Sequence, residues 1–256
     1  MKDGDTSSNG DLTSMVLNGN YFGLAGAGGF PGVASFGGTS NLSSSGRFSA
    51  PPPGWNAQSP NITQKRFDYK YFANLAPGGT VFNPVSPADA SGSLTSGGTP
   101  DAKGYYWYKY TGGADISINT PVNLGGRKVI LFVDSADLLI NAPINLNDGV
   151  GFFLAIVGKN STGAKGNIIV GAGVGGTPYD LEGLFVADAK FQTGVSATAL
   201  KVRGSVTGYD EIAMQRDLTS DFNANPSEFF EYAPDQILLF PKALSTRKMN
   251  WKEVAP

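Results

Sequence analysis

The chain has 256 residues, 35 of them glycine, with 16% charged residues and a formal net charge of −2. Glycine is about twice as frequent as in an average globular protein, and charge falls well short of the usual ~25%; with no basic tract there is no electrostatic footprint for nucleic acid. Cysteine and histidine are both absent, which excludes disulfides, cysteine-based metal sites and the commonest general base.

Residues 1–64 form a Gly/Ser/Pro-rich segment whose only charges are Lys2, Asp3, Asp5, Asp11 and Arg47. "MKDGDTSSNGDLTSM" lacks the apolar core of a secretory signal, and "YFGLAGAGGFPGVASFGG" is too broken by glycine and proline to span a bilayer. Met1 is therefore expected to begin a trimmed chain or a fragment of a longer exported one. Asp5, Ser7 and Asn9 fall at the spacing of a calcium loop, but Val16 stands where a bidentate acid is needed. Calcium is thus a weak candidate ligand, and no transition metal or other cofactor is expected. Tyr21, Phe22, Phe30, Phe36, Phe48 and Trp55 are worth about 1.5–3 kcal/mol each when buried, so this segment is expected to pack on the core or on a neighbour.

Residues 65–110 form an aromatic junction. "GYYWYKY" (104–110) places Tyr105, Tyr106, Trp107, Tyr108 and Tyr110 within one short stretch. Such a cluster either stacks on sugar rings or caps the open end of a β-structure, and its position directly before the repeats favours the cap.

The repeats occupy residues 111–215. "DISINTPVNL" (115–124) and "DLLINAPINL" (137–146) share six of ten residues at a 22-residue offset. The pattern is continued at Val170 in "NIIVGAG" and Val202 in "LKVRGSV", with the insert "KNSTGAKG" (159–166) lengthening one step. A second series reads "KVILFVDS", "GFFLAIVG", "LEGLFVAD" and "DEIAMQ". Strand, turn and second strand at a period of 20–32 residues predict an all-β fold, a right-handed parallel β-helix. Ile118, Ile140, Val170 and Val202 are expected in one interior column, with Asn119 over Asn141 as an amide ladder.

"VILFV" and "FFLAIV" are apolar at consecutive positions, so both faces need cover. The tail, residues 216–256, is the expected cover, with a short helix starting at Pro234 and ending at Pro241. Asp134, Asp137, Asp148, Asp180 and Asp188 fall in or near turns. Paired acids on one face would suit a polysaccharide hydrolase, but nothing in their spacing aligns two of them, and solvated turn acids are expected. "GAGVGG" (171–176) lacks the strand–turn–helix context of a dinucleotide loop and is expected to be a turn.

"GGFPGVASFGG" (28–38), "FDYKYF" (67–72), Arg216-Asp217-Leu218 and the ending "PSEFFEYAPDQILLFPKALSTRKMNWKEVAP" (226–256) together resemble a family of uncharacterised exported β-helix-like proteins of ultra-small bacteria of the candidate phyla. The resemblance implies exposure at the cell surface in an appendage or adhesin, and it assigns no activity to any residue. The expectation is an extracellular structural or adhesive protein that self-associates, without a membrane span in this chain. A carbohydrate-active enzyme or a carbohydrate-binding module using the solenoid face, with cell-surface glycans as partners, is the alternative.

Overall fold

A computed structural model describes residues 67–219 and 226–245, together with residues 6–8, 10–14, 21–22, 34–41 and 47–48. The N-terminal segment contributes strands β1 (Thr6–Ser8), β2 (Asp11–Ser14), β3 (Tyr21–Phe22), β4 (Ala34–Phe36), β5 (Ser40–Asn41) and β6 (Arg47–Phe48), followed by helices α1 (Tyr69–Leu75) and α2 (Ser91–Ser96). The solenoid then begins. Its first coil is β7 (Tyr105–Thr111), β8 (Ile116–Ile118) and β9 (Val122–Gly125), and its second is β10 (Lys128–Asp134), β11 (Leu138–Ile140) and β12 (Ile144–Leu146). β13 (Phe152–Gly158), β14 (Ile168–Val170), β15 (Leu181–Ala187), β16 (Lys190–Gln192), β17 (Leu200–Gly208) and β18 (Glu211–Met214) carry the next coils. The tail adds β19 (Glu228–Glu231) and α3 (Pro234–Leu238).

All these pairings are parallel, and the chain folds as a parallel β-helix of about five turns. One face stacks β7, β10, β13, β15 and β17; a second stacks β8, β11, β14, β16 and β18. The third face runs through Val122, Ile144, Leu181, Val202 and Phe230. The coils thus extend from Tyr105 to Glu231, taking in the aromatic strand before residue 111 and the tail strand after residue 215.

The interior column differs from expectation at one position. Ile118, Ile140 and Val170 do stack in register, but Val202 lies over Leu181 on the third face. "DEIAMQ" is the strand that continues the Ile118 face, as β18, after β16, a strand whose sequence carries no distinctive repeat. The exchange has a local cause. Leu181 pairs with Ile144, yet Leu184 pairs with Leu154 on the first face. In the upper coils the third-face strand therefore runs straight into the first-face strand, turning at Gly183 (φ 136°) and Gly204 (φ 143°). Only glycine adopts such dihedrals without strain, and the two corners stack in register.

Both faces of the long strands are buried, as their composition predicts. Inward, Val129, Leu131, Val133, Phe153, Ala155 and Val157 join the solenoid core. Outward, Ile130, Phe132, Phe152, Leu154 and Ile156 form a second core beneath Phe72 of α1 and Leu244 of the tail, with Leu239 and Phe240 packed against it. Pro234 opens α3 at its first turn, where its missing N–H costs nothing. Leu239, Phe240 and Leu244 of the tail share that cover with α1.

The first coil is closed by residues 83–97. Asn83 bridges to Tyr108, the N–H of Ala90 donates to Ser117 O at 2.7 Å, and the N–H of Ser117 donates to Pro87 O at 2.9 Å. Arg127 donates to Leu94 O and Gly97 O at 3.1 and 2.6 Å. Strand edges that would otherwise attract another chain are thereby satisfied. Within α2, a Cβ on Gly92 would meet nothing within 4 Å. Gly92→Ala should therefore stabilise the protein by about 0.5–1 kcal/mol by lowering the backbone entropy lost on folding, read as a rise in denaturation midpoint at unchanged slope.

Candidate functional site

The aromatic junction is the first candidate. Alternation along β7 sends Tyr106, Tyr108 and Tyr110 to the solenoid core and Tyr105 and Trp107 to the outer core. Tyr108 is fully buried, its hydroxyl donating to the carbonyls of Ser93 and Gly97 at 2.7 Å. Trp107 Nε1 donates to Asp101 at 2.8 Å and Tyr105 Oη to Leu239 O at 2.8 Å. Tyr106 lies beneath the Arg127 guanidinium, 3.6 Å from its ring centre. Tyr110 Oη donates to Ala114 O. Tyr108 thus bonds to the cap and Tyr105 to the tail, while Trp107 and Tyr110 bond to nearby loop residues.

The turn acids are the second candidate, and here expectation is corrected. Asp137 and Asp180 are buried, at 7% and 0% exposure, instead of solvated. Asp137 Oδ1 accepts the N–H groups of Gly166 and Asn167 and the Asn167 amide, each at 2.9 Å. Lys165, carried by the insert, reaches back to Asp115 at 2.7 Å and Asp137 at 3.2 Å. Asp180 accepts from Thr177 and from the Lys201 N–H, and Asp188 accepts the N–H of Tyr69. Asp148 is the exposed member, 79% accessible and 3.3 Å from Arg203. The amide ladder forms as expected: Asn141 donates to Asn119 at 2.8 Å, and Asn145 to Asn123 at 2.9 Å.

A charged cluster that sequence reading missed surrounds Arg203. Its guanidinium meets Asp235 at 2.8 Å, Asp148 at 3.3 Å and Glu182 at 3.5 Å. Burial pushes the Glu182 carboxyl up, against the Leu146 N–H and Arg203. Burial also pushes Asp235 up, but the Gly149 N–H, Arg203 and Gln236 outweigh it and hold it below the usual range. Two carboxyls shifted apart are the raw material of acid–base chemistry. Here they clamp α3 to coils two to five, because Gln236 beside them donates to Gly151 O and accepts from Phe153 N–H.

Arg216 and Glu228 are two further charged residues, linked through the Arg216 backbone N–H. Arg216, 2% exposed, donates to Thr193 O, Val174 O, Gly171 O and Thr198 O at 2.7–3.2 Å. Glu228 accepts the Arg216 N–H at 2.8 Å and the Thr193 hydroxyl at 2.9 Å, and burial pushes its carboxyl up to about 7. An acid with a raised folded-state pKa binds its proton more tightly folded than unfolded. Its contribution to stability is therefore full below its unfolded pKa near 4.5 and is lost as pH rises through about 7. The size is on the order of 3 kcal/mol. Glu228→Gln should flatten that part of the pH profile, checked by urea unfolding of both proteins at pH 5 and pH 8.

A cavity of about 240 Å³ lies between α1, residues 76–82 and the outer face, lined by Tyr69, Phe82, Lys109 and Phe132 among others. Tyr69 Oη is buried without a hydrogen-bond partner among the described residues. Burial pushes its pKa up, and the nearby Asp134 carboxylate pushes it the same way.

The far end of the solenoid is the last candidate. β1 pairs with β17 (Ser7 with Thr207) and β2 with β18 (Asp11 with Glu211), so residues 6–14 form a sixth coil on the fifth. β4 and β5 stack on β1 and β2 as a seventh. The Asp11 N–H donates to Asp210 O at 3.1 Å, and Asp11 Oδ1 accepts from the Thr39 N–H at 2.6 Å. Asp5 and Asn9 lie outside the described residues, as does the side chain of Ser7. Among the described residues there is no group of three or more Asp, Glu, His or Cys placed to hold a metal.

No protein-family model, curated protein or solved structure matches this chain. Among the described residues, no helix is long and apolar enough to cross a membrane.

Proposed function

We propose that this chain is a structural or adhesive protein of the cell surface that associates with further copies of itself. The observation that carries this reading is the end of the coil stack. Among the described residues, β4 and β5 terminate the two main sheets with strand neighbours on one side only. A strand in that position presents unpaired N–H and C=O groups to another chain. The charged groups fit the same reading: Asp137, Asp180, Arg203 and Arg216 each tie separate segments or coils together, which makes the stack a stiff rod. At a net charge of −2, copies repel one another weakly. Exposure outside the cell rests on the resemblance to exported proteins of candidate-phyla bacteria.

The test is electron microscopy of native cell-surface material, with mass in solution across a concentration series. Regular end-to-end arrays are the expected result. A monomer at every concentration, with no repeating contact in native samples, would overturn it.

The cavity beside Tyr69, Phe82 and Lys109 supports a second reading, a carbohydrate-binding module. Aromatic rings and an unpartnered hydroxyl are groups that take sugar rings. Binding on a glycan panel, lost in Phe82→Ala, would favour it. Turnover of any panel member would instead favour an enzyme.

A further inference from the structure

We infer that the sixth coil is exchangeable: residues 6–14 of one copy can stack on the fifth coil of a second copy, joining copies head to tail. This inference deepens the self-association reading and rests on it for its setting.

The argument begins with continuity. Coils one to five follow one another along the chain, and β19 completes the fifth. The chain then leaves the stack for α3, so the coil that follows comes from about 200 residues upstream. The bonds that seat it are strand pairings of β1 on β17 and of β2 on β18. Those pairings are the same whether donor and acceptor belong to one chain or two, which is the condition for low-cost swapping.

The seat is also shaped for this donor. A Cβ on Gly10 would lie 1.6 Å from Asp210 O, and one on Gly38 would lie 2.9 Å from the Gly10 carbonyl carbon. Backbone therefore approaches backbone closely where the sixth and seventh coils turn, and a side chain at either position would hold the donor off. A generic strand would pair with the edge but would not fit this turn.

The opposite end decides how copies can join. Residues 83–97 cover the first coil there, so one solenoid cannot simply stack its last coil on the next copy's first. Donation of the N-terminal coil bypasses that closed end. The 18 residues from 49 to 66 have a contour length of at most about 60 Å, while five coils rise only about 24 Å. Both routes are therefore within reach. Seating within one chain does not depend on concentration, whereas donation to a second copy does. Exchange between chains should thus be minor in dilute solution and dominant where copies are crowded.

The native absence of cysteine makes the test unambiguous. Ser7→Cys and Thr207→Cys are prepared as two separate full-length proteins and as one double variant. Register partners on adjacent strands lie about 4.8 Å apart, within disulfide range. The double variant oxidised in dilute solution should give an intrachain bond, confirming the seat. Equal amounts of the two single variants, refolded together near millimolar concentration and oxidised, should give a covalent dimer linking the peptide containing position 7 to that containing position 207. Its yield should fall at least tenfold on hundredfold dilution before oxidation. An intrachain bond in the double variant with no mixed dimer at high concentration would overturn exchange and leave self-association by another contact standing. Absence of both bonds would overturn the seat itself.

Discussion

Arg216→Met should lower the stability of the protein by about 3–5 kcal/mol, because each enclosed carbonyl left without its charged donor costs about 1–3 kcal/mol. The guanidinium bonds the carbonyls of Gly171, Val174, Thr193 and Thr198, which come from the loops of successive coils. Methionine fills similar space but donates nothing, so four carbonyls lose this partner, and those of the buried Thr193 and Val174 are too enclosed to recruit water. Glu228 loses its countercharge at the same time. Its pKa, already raised to about 7 by burial, should climb further. The urea midpoint should therefore fall sharply at pH 8 and less at pH 5, where the carboxyl is protonated. A loss below about 1 kcal/mol at pH 8, or an equal loss at both pH values, would contradict this account of the site.

Gly204→Ala should cost at least about 3 kcal/mol, or prevent the upper coils from forming. Two effects add. Gly204 has φ 143°, a region that strains any residue with a Cβ by about 1–3 kcal/mol. That Cβ would also lie 1.8 Å from Gly183 O and 2.8 Å from its carbonyl carbon. The obstacle is backbone already fixed by pairing between β15 and β17, so it cannot move aside as a flexible side chain would. Gly173→Ala supplies the comparison. It has open space around its Cβ position, and its effect should stay within about 0.5 kcal/mol. Thermal unfolding of the two variants beside the parent would measure the contrast, and equal midpoints would refute the corner assignment.

The repeat was legible because stacking in parallel puts equivalent residues over one another. Asn119 bonds Asn141 and Asn123 bonds Asn145, so the same residues recur between the first two coils, and the 22-residue offset prints directly in the sequence. The need for cover over "VILFV" and "FFLAIV" was legible for a similar reason: a strand with water on one face alternates, and these do not. Faces were harder to tell apart. Ile168–Val170 and the start of β17 both place apolar residues at alternate positions inside the solenoid. Period two says that a residue points inward but not which wall it belongs to, and Val202 was misplaced on that account. The corner that moved it depends on the dihedrals of Gly183 and Gly204, which composition does not distinguish from those of other glycines.

The charged anchors were not legible, because each is completed from a distance. Asp137 reads as a turn acid until Lys165 and Asn167 fold back onto it, and Arg216 reads as a tail residue until four carbonyls converge on it. The sixth coil is the extreme case. "TSS" and "DLTS" carry no repeat signature, and their partners lie about 200 residues away. Sequence periodicity thus determined the coil, since each coil repeats the packing demands of the one before. Only the tertiary structure decided how the stack is closed, because closure is made by backbone pairing and convergent hydrogen bonds, which accept many sequences and leave no period to read.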